Sequence, residues 1–435
     1  MLATKLKKLK FNENDIIVNE GTKDDNFYII SKGRVRMTKE GVFIRDLDNG
    51  NCFGENIILS NEGEKENIFT VTALEKVVCY ALSKNEFEMI IDDQNIRNFL
   101  IKKISLQDTS ISLSDLHYIK FLGKGKFGSV SLVHNKKNIY AIKAISRSSV
   151  DKQNILAKYF VNERRIMLSL DHPFIVKMVK SIKNDFFCFF LIEFINGKNL
   201  DEYLSERNQK KNIYETQFYI GSMLLMLDYL QKKLIAHRDI KPSNIMIDSN
   251  GYLKMIDFGT AKILNDYTST IIGTPHYIAP EILQGKGYSL SCDFWSVGIC
   301  MYEIFYGMYP FGHYANEVIE IYKEILHKEF FFPSDNIKYI NVNNFINDLL
   351  NKKVNLRICN VNFLKQKPFF NDLDFDNLID FKLTPPYIPQ TSDLTKFLDM
   401  ENLYEDIVSS NHEVRKKKSK NDLNNDYDRN WADEF

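Results

Sequence analysis

Between residues 237 and 259 the chain carries two polar loops, His237-Arg238-Asp239-Ile240-Lys241-Pro242-Ser243-Asn244 and Asp257-Phe258-Gly259, the second entered from the apolar pair Met255-Ile256. No other feature restricts the fold as strongly. An Asp in a loop is ordinarily a turn or cap residue. Here Asp239 can accept a proton and Lys241 can neutralise negative charge, while Asn244 and Asp257 offer hard oxygens of the kind that hold magnesium. Two such loops in this order and with these companions are hard to obtain by chance, so the surrounding chain must bring them to one place.

The chain has 435 residues, which points to two or three domains. A hydrophobic fraction of 44% with 26% charged residues describes globular material. Lys+Arg and Asp+Glu both number 57, so net charge offers no reason to expect nucleic acid or an anionic membrane as partner. The six cysteines are scattered with no Cys-x-x-Cys pair, which suits a reducing compartment and argues against a disulfide framework or zinc site. Met1 to Lys10 is lysine-rich with no apolar core after it, unlike a secretory signal. The most apolar run, Phe186 to Ile192, is strand-sized and gives no membrane span, so the expected location is cytoplasmic.

From Phe11 to Leu82, short alternating runs (Ile16–Val18, Phe27–Ile30, Val35–Met37, Val42–Ile44, Val77–Tyr80) are separated by turn residues such as Ser31-Lys32-Gly33. Close, regular strands predict a small all-β barrel or jelly roll. Ser83 is placed to cap a following helix. A second helical stretch, Asn95 to Ile104, leads to a polar linker, and from Leu116 to about Phe370 strand and helix patterns alternate. Beyond Pro385 the sequence is polar and irregular, with a basic run at Arg415-Lys416-Lys417-Lys418 read as a solvated linker.

Gly123-Lys124-Gly125-Lys126-Phe127-Gly128-Ser129-Val130 lies between two strand-type segments. In dinucleotide sites a helix opens directly on such glycines; here strand continues, giving a hairpin whose backbone can approach phosphate oxygens. Ala141-Ile142-Lys143 follows on a strand, and Glu163 sits on the next helical segment as its pairing acid. Phosphoryl transfer to a hydroxyl needs a proton acceptor, metal ligands and positive charge near the phosphate. Asp239, Asn244, Asp257, Lys241 and Lys143 supply them.

In this order, and continuing through Ala279-Pro280-Glu281, these elements resemble a eukaryotic protein kinase domain over about Tyr118 to Phe370. The resemblance implies an α+β, two-lobed fold binding ATP and Mg2+, with Asp239, Lys241, Lys143 and Glu163 in catalytic roles. It implies nucleotide contacts at Gly123, Gly125, Gly128, Val130, Lys143, Glu193, Asn199, Asn244 and Asp257, with metal at Asn244 and Asp257. Lys241, two residues after Asp239, resembles serine/threonine kinases, so protein substrates with Ser/Thr are expected. Pro385-Pro386-Tyr387-Ile388-Pro389 and the ending Trp431-Ala432-Asp433-Glu434-Phe435 resemble the tail of AGC-group, cyclic GMP-dependent kinases. Trp431 and Phe435 are then expected to dock on the small lobe. Thr270 matches that group's activation-loop phosphosite, with Arg238 and Lys262 as phosphate partners. The expected division is 1–106 for the β-rich domain, 107–117 linker, 118–370 catalytic domain and 371–435 tail.

The N-terminal segment resembles a cyclic-nucleotide-binding domain through Gly21, Asp25, Phe27-Tyr28-Ile29-Ile30, Gly33 and Phe53-Gly54-Glu55. The resemblance gives Glu55 to the ribose and requires an arginine downstream for the cyclic phosphate. Asn61 to Thr70 contains none; the aligned residue is Asn67, beside Glu62, Glu64 and Glu66. One such domain that begins abruptly and lacks the arginine reads as a degenerate regulatory module, with cyclic GMP in doubt as a ligand. The two acids that receive a substrate arginine in basophilic relatives are replaced by Asn199 and Ser243, while Glu303 is retained and Asp201 or Glu202 lie nearby. A relaxed substrate preference is expected. Rival readings are a pseudokinase scaffold and a nucleotide sensor with the kinase as passenger.

Overall fold

The structure is a computed structural model. It describes residues 6–23, 26–47, 49, 51–54, 66–67, 69–83, 85–86, 111–124, 128–135, 138–151, 154–184, 186–207, 211–264, 270, 272–285, 287–333, 337–391 and 394. The chain divides into two compact units, residues 1–110 and 111–435.

The first unit is two antiparallel four-stranded sheets. One has the order β1 (Lys7–Phe11), β8 (Val77–Ser83), β3 (Asn26–Lys32), β6 (Cys52–Phe53); the other runs β2 (Ile16–Val18), β7 (Thr70–Ala73), β4 (Val35–Lys39), β5 (Val42–Leu47). The sequence expectation of a barrel or jelly roll is met in its two-sheet form, without a closed cylinder among the described strands. The alternation that marks these strands turns every second residue inward. Ile30, Val35, Met37, Phe53, Ala73, Val77 and Cys79 are buried in one core. Gly54 has φ +83°, and a Cβ there would stand 2.5 Å from Asn26 O, so the turn after β6 admits only glycine. Ser83 begins a capping box: Glu86 N donates to Ser83 Oγ at 3.3 Å, and Ser83 N donates to Glu86 Oε2 at 3.2 Å.

The second unit has the two-lobed architecture that the family resemblance implies. Its small lobe is an antiparallel sheet ordered β12 (Met178–Lys183), β13 (Phe187–Glu193), β11 (Ile139–Ser146), β10 (Gly128–His134), β9 (His117–Lys124). With it go a short helix α1 (Arg147–Asp151) and the longer α2 (Asn154–Ser169). The large lobe is built on α4 (Ile213–Lys232) and α6 (Ser291–Tyr306), preceded respectively by the short α3 (Leu200–Glu206) and α5 (Pro280–Leu283). Both long helices are buried over most of their length, including Trp295 at the centre, as expected of helices apolar on nearly every face. Residues 111–117, read from sequence as linker, pack with this unit: Ile111 and Leu116 are buried, and Lys180 Nζ donates to Ile111 O at 3.0 Å. The two apolar side chains need cover, and the second unit supplies it.

Residues 383–387 run across the large lobe. Tyr252 and Tyr214 hydroxyls donate to the carbonyls of Leu383 and Thr384, each at 2.6 Å, and Tyr387 stacks on Tyr203 with centroids 4.3 Å apart. The Trp431 and Phe435 expectation lies outside the described residues, as do those at Glu55 and Gly125.

Candidate active site

β9 and β10 form the expected hairpin, with Gly123 opposite Val130, and Val130 in turn opposite Lys143 of β11. Gly128 lies so close to β11 that a Cβ would stand 2.1 Å from Ala144 O. The register therefore sets Gly123 and Val130 in line with Lys143 on neighbouring strands. Ile142 and Ala144 on either side of Lys143 are buried, so the lysine alone on that strand needs a charged partner. It has two. Lys143 Nζ donates to Glu163 Oε1 of α2 at 2.6 Å and lies 3.7 Å from Asp257 Oδ1.

Burial works against the Lys143 ammonium, but the carboxylates of Glu163 and Asp257 outweigh it and raise its pKa above the ordinary lysine value. Burial pushes the Glu163 carboxyl up, with Lys143 opposing. Burial also opposes ionisation of Asp257, yet Lys143 and the Gly259 N–H, which donates to Asp257 Oδ1 at 3.0 Å, hold it below the usual range.

The catalytic loop is set by Asp293 at the start of α6. Its carboxylate accepts from His237 N at 2.7 Å and from Arg238 N at 2.8 Å. These bonds sustain a left-handed backbone at Arg238, φ +69°, a conformation that costs a non-glycine residue roughly 1–3 kcal/mol. The turn at Arg238 delivers Asp239 to a closed network. Asp239 Oδ1 accepts from Thr274 Oγ1 at 2.7 Å, and Oδ2 accepts from Asn244 Nδ2 at 3.1 Å and forms an ion pair with Lys241 Nζ at 3.0 Å. Lys241 Nζ also donates to Thr274 Oγ1 at 2.6 Å. Asn244 Nδ2 makes a second bond to Asp239 O at 2.8 Å, and Asn244 O accepts from Ile256 N at 3.0 Å, joining the two loops. Phe258 is fully buried, edge-on to His237 at 5.0 Å.

Lys143, Glu163, Asp239, Lys241, Asn244 and Asp257 are thus assembled where the lobes meet. The Glu193 carboxylate is committed elsewhere: it accepts from Lys254 Nζ at 2.7 Å and Lys177 N at 2.9 Å, which leaves main-chain atoms for any ligand contact. Asn199 caps α3 by accepting from Asp201 N at 2.9 Å, and its Nδ2 donates to Ser243 O at 2.9 Å. It braces the catalytic loop. Glu303 accepts from Tyr277 OH at 2.6 Å. Thr270 is exposed, and its carbonyl accepts from Tyr288 OH at 2.6 Å. Three partners carry no role in the sequence reading: Thr274, Asp293 and Tyr288. The first two lie in stretches, Gly273-Thr274-Pro275 and Asp293-Phe294-Trp295, that stand out in sequence without showing what they touch.

In the N-terminal unit, Asn67 is buried and its Nδ2 donates to Thr22 O at 3.0 Å. Asn67 N donates to the same carbonyl at 2.8 Å, and Gly21 N donates to Asn67 O at 2.8 Å. The amide at the position expected to carry a phosphate-binding arginine is used to staple a turn.

A fold and site of this kind define the phosphotransferase class, and the chain belongs to the protein kinase family: residues 116–370 match the protein kinase domain. Residues 8–94 match the cyclic nucleotide-binding domain. Among known proteins the chain is similar to the cGMP-dependent protein kinase of Plasmodium berghei (strain Anka), 34% identical over 409 residues, 93% of this chain and 47% of that protein. It is 35% identical to the cGMP-dependent protein kinase of Toxoplasma gondii over 403 residues, 90% of this chain and 39% of that protein. The corresponding protein of Eimeria tenella is 35% identical over 398 residues, 89% and 39%. The chain spans less than half the length of these relatives. Among the described residues no helix is long and apolar enough to cross a membrane.

Proposed function

We propose that this chain transfers the γ-phosphoryl group of ATP to serine or threonine hydroxyls of proteins. The observation that carries this reading is the Asp239–Thr274–Lys241–Asn244 network standing beside the Glu163–Lys143–Asp257 chain. Asp239, fixed from three directions, accepts the proton of the attacking hydroxyl. Lys241 balances negative charge at that point, and Lys143, kept ionised by its two carboxylates, neutralises phosphate oxygens. Both Asn244 bonds to Asp239 use the amide nitrogen. The Asn244 amide oxygen and the ionised Asp257 carboxylate therefore form a hard-oxygen pair that fits magnesium, which when bound supplies charge neutralisation between the phosphates. A pseudokinase scaffold has no need for this full set. Phosphorylation of a generic basic protein by the full chain should fall about 10²–10⁴-fold in Asp239→Asn. Activity undiminished in that variant overturns the reading.

The N-terminal unit is best read as a regulatory module that has lost its phosphate clamp. The relatives are named for cyclic GMP, but here Asn67 gives its amide to Thr22 O and brings no positive charge. A cyclic phosphate at this position would lack the bidentate, charge-assisted pair that such an anion demands. Titration calorimetry of the full chain with cyclic GMP and cyclic AMP tests this, and micromolar or tighter binding would sink it. With Asn199 and Ser243 uncharged and bonded to each other, selection of arginine upstream of the phosphorylated residue is weak; a peptide library showing strong selection there refutes it. The scattered cysteines favour the cytosol as the working compartment.

A further inference from the structure

Arg238 and Tyr288 are both buried, 4% and 2% exposed, and lie 50 residues apart in sequence. Arg238 Nε donates to Thr260 O at 2.7 Å, just beyond the Asp257 loop, and Nη1 donates to Tyr288 OH at 3.3 Å. The Tyr288 hydroxyl in turn donates to Thr270 O at 2.6 Å. One phenol therefore connects the guanidinium of the catalytic loop to the main chain of the segment that carries Thr274. Burial lifts the Tyr288 phenol above the ordinary tyrosine value, so it remains a neutral donor at physiological pH. The acceptor is a backbone carbonyl, so the bond needs no particular side chain at 270 and no phosphate on it.

We propose that Tyr288 is a positioning residue, which ties the activation segment to the catalytic loop through Arg238 and holds Thr274 against Asp239 before any modification of Thr270. The two contacts are cooperative in geometry: Arg238 precedes Asp239 by one residue, and Thr270 precedes Thr274 by four. Fixing Thr270 O limits how far Thr274 can move from the Asp239 carboxylate to the reach of the short chain between Thr270 and Thr274. The proposal rests on the reading of this segment as that of an active kinase. It makes a claim about local order that can fail or hold separately from that reading.

The test uses the full chain as wild type, Tyr288→Phe and Thr270→Ala. Tyr288→Phe keeps the ring and deletes the bridge. Amide exchange of the peptide carrying Thr270 and Thr274 should rise about five- to tenfold, the scale of one net hydrogen bond. Exchange in the peptide carrying Trp295 should be unchanged. Thr270→Ala, which retains the carbonyl, should leave exchange of the first peptide within twofold. In phosphorylation assays Tyr288→Phe should lower kcat by about the same factor with KM for ATP unaltered. Unchanged exchange in Tyr288→Phe overturns the proposal, and so does a rise shared equally by the Trp295 peptide, which would mark a structural role only. If exchange rises as expected while wild type phosphorylates nothing, the tie stands and the kinase reading falls.

Discussion

Thr274 Oγ1 donates to Asp239 Oδ1 at 2.7 Å while accepting from Lys241 Nζ at 2.6 Å. A single hydroxyl, 35 residues downstream, thus holds the Asp239 carboxylate and the Lys241 ammonium in one arrangement. Its own position is secured by a 3-10 turn, Pro275–Tyr277, whose Tyr277 is buried and whose carbonyl accepts from Ser296 Oγ at 2.9 Å. The loop that carries Asp239 keeps these bonds only when this segment is packed.

Thr274→Val keeps the shape of the side chain and removes both hydrogen bonds. Asp239 and Lys241 remain 3.0 Å apart, so charge balance survives while orientation is lost. Steady-state kinetics should give a kcat about tenfold lower or worse with KM for ATP little altered.

Glu163→Gln leaves Lys143 with Asp257 alone at 3.7 Å. The ion pair at 2.6 Å becomes a hydrogen bond from the Lys143 ammonium to an uncharged amide. The expected loss in kcat/KM for ATP is about 10- to 100-fold, the range for hydrogen bonds to charged groups, read by ATP titration at saturating protein substrate.

Arg357 makes a bidentate pair with Glu281 at 2.6 and 2.9 Å, donates to Ser291 O at 3.0 Å and covers Trp295 at 5.2 Å. Both side chains are nearly inaccessible, at 0% and 7%. Arg357→Ala strands a buried carboxylate and should destabilise the second unit by about 3–5 kcal/mol in denaturant unfolding. The double variant Arg357→Met with Glu281→Leu should be less damaged than either single change, because desolvation of the pair is then avoided.

Two half-buried groups give opposite pH dependence. Burial pushes Glu303 up to about 7, above its ordinary 4.5, so the folded state holds this proton to higher pH than the unfolded chain. Its contribution is full below pH 4.5 and is lost as pH rises through about 7. Burial lowers His172 to about 4 from 6.5, so its contribution is full above pH 6.5 and is lost as pH falls through about 4. Thermal midpoints measured from pH 4 to 8 should show a shallower alkaline decline in Glu303→Gln. They should show a shallower acid decline in His172→Asn, which preserves an acceptor for Phe174 N.

Much of the architecture was legible because local pattern and tertiary demand agree. The alternation around Phe27 and Val35 marks strands that are strands, and Ser83 with Glu86 three residues on is a capping signal that the structure uses. Where function departs from pattern, sequence was less informative. Glu193 and Asn199 stand at positions expected to meet a nucleotide, and their side chains bond Lys254 and Ser243, 61 and 44 residues away. Nothing in their immediate neighbours announces those partners. Residues 111–117 look like linker by polarity, but Ile111 and Leu116 are sufficient to anchor them.

The chemistry of the two polar loops is determined by sequence alone. Asp239, Lys241 and Asn244 fall within six residues, so the sequence already names them as one cluster, though not how they are oriented. The absence of an arginine at Asn67 is likewise a sequence fact, independent of fold. What only the tertiary structure decided is which distant groups complete those loops: Asp293 beneath Arg238, Thr274 against Asp239, Glu163 on Lys143, Tyr288 between Arg238 and Thr270. Each pair joins different structural segments through hydrogen bonds of about 3 Å reach. Such contacts exist only after the apolar faces of α4, α6 and the small-lobe sheet have fixed where every segment lies.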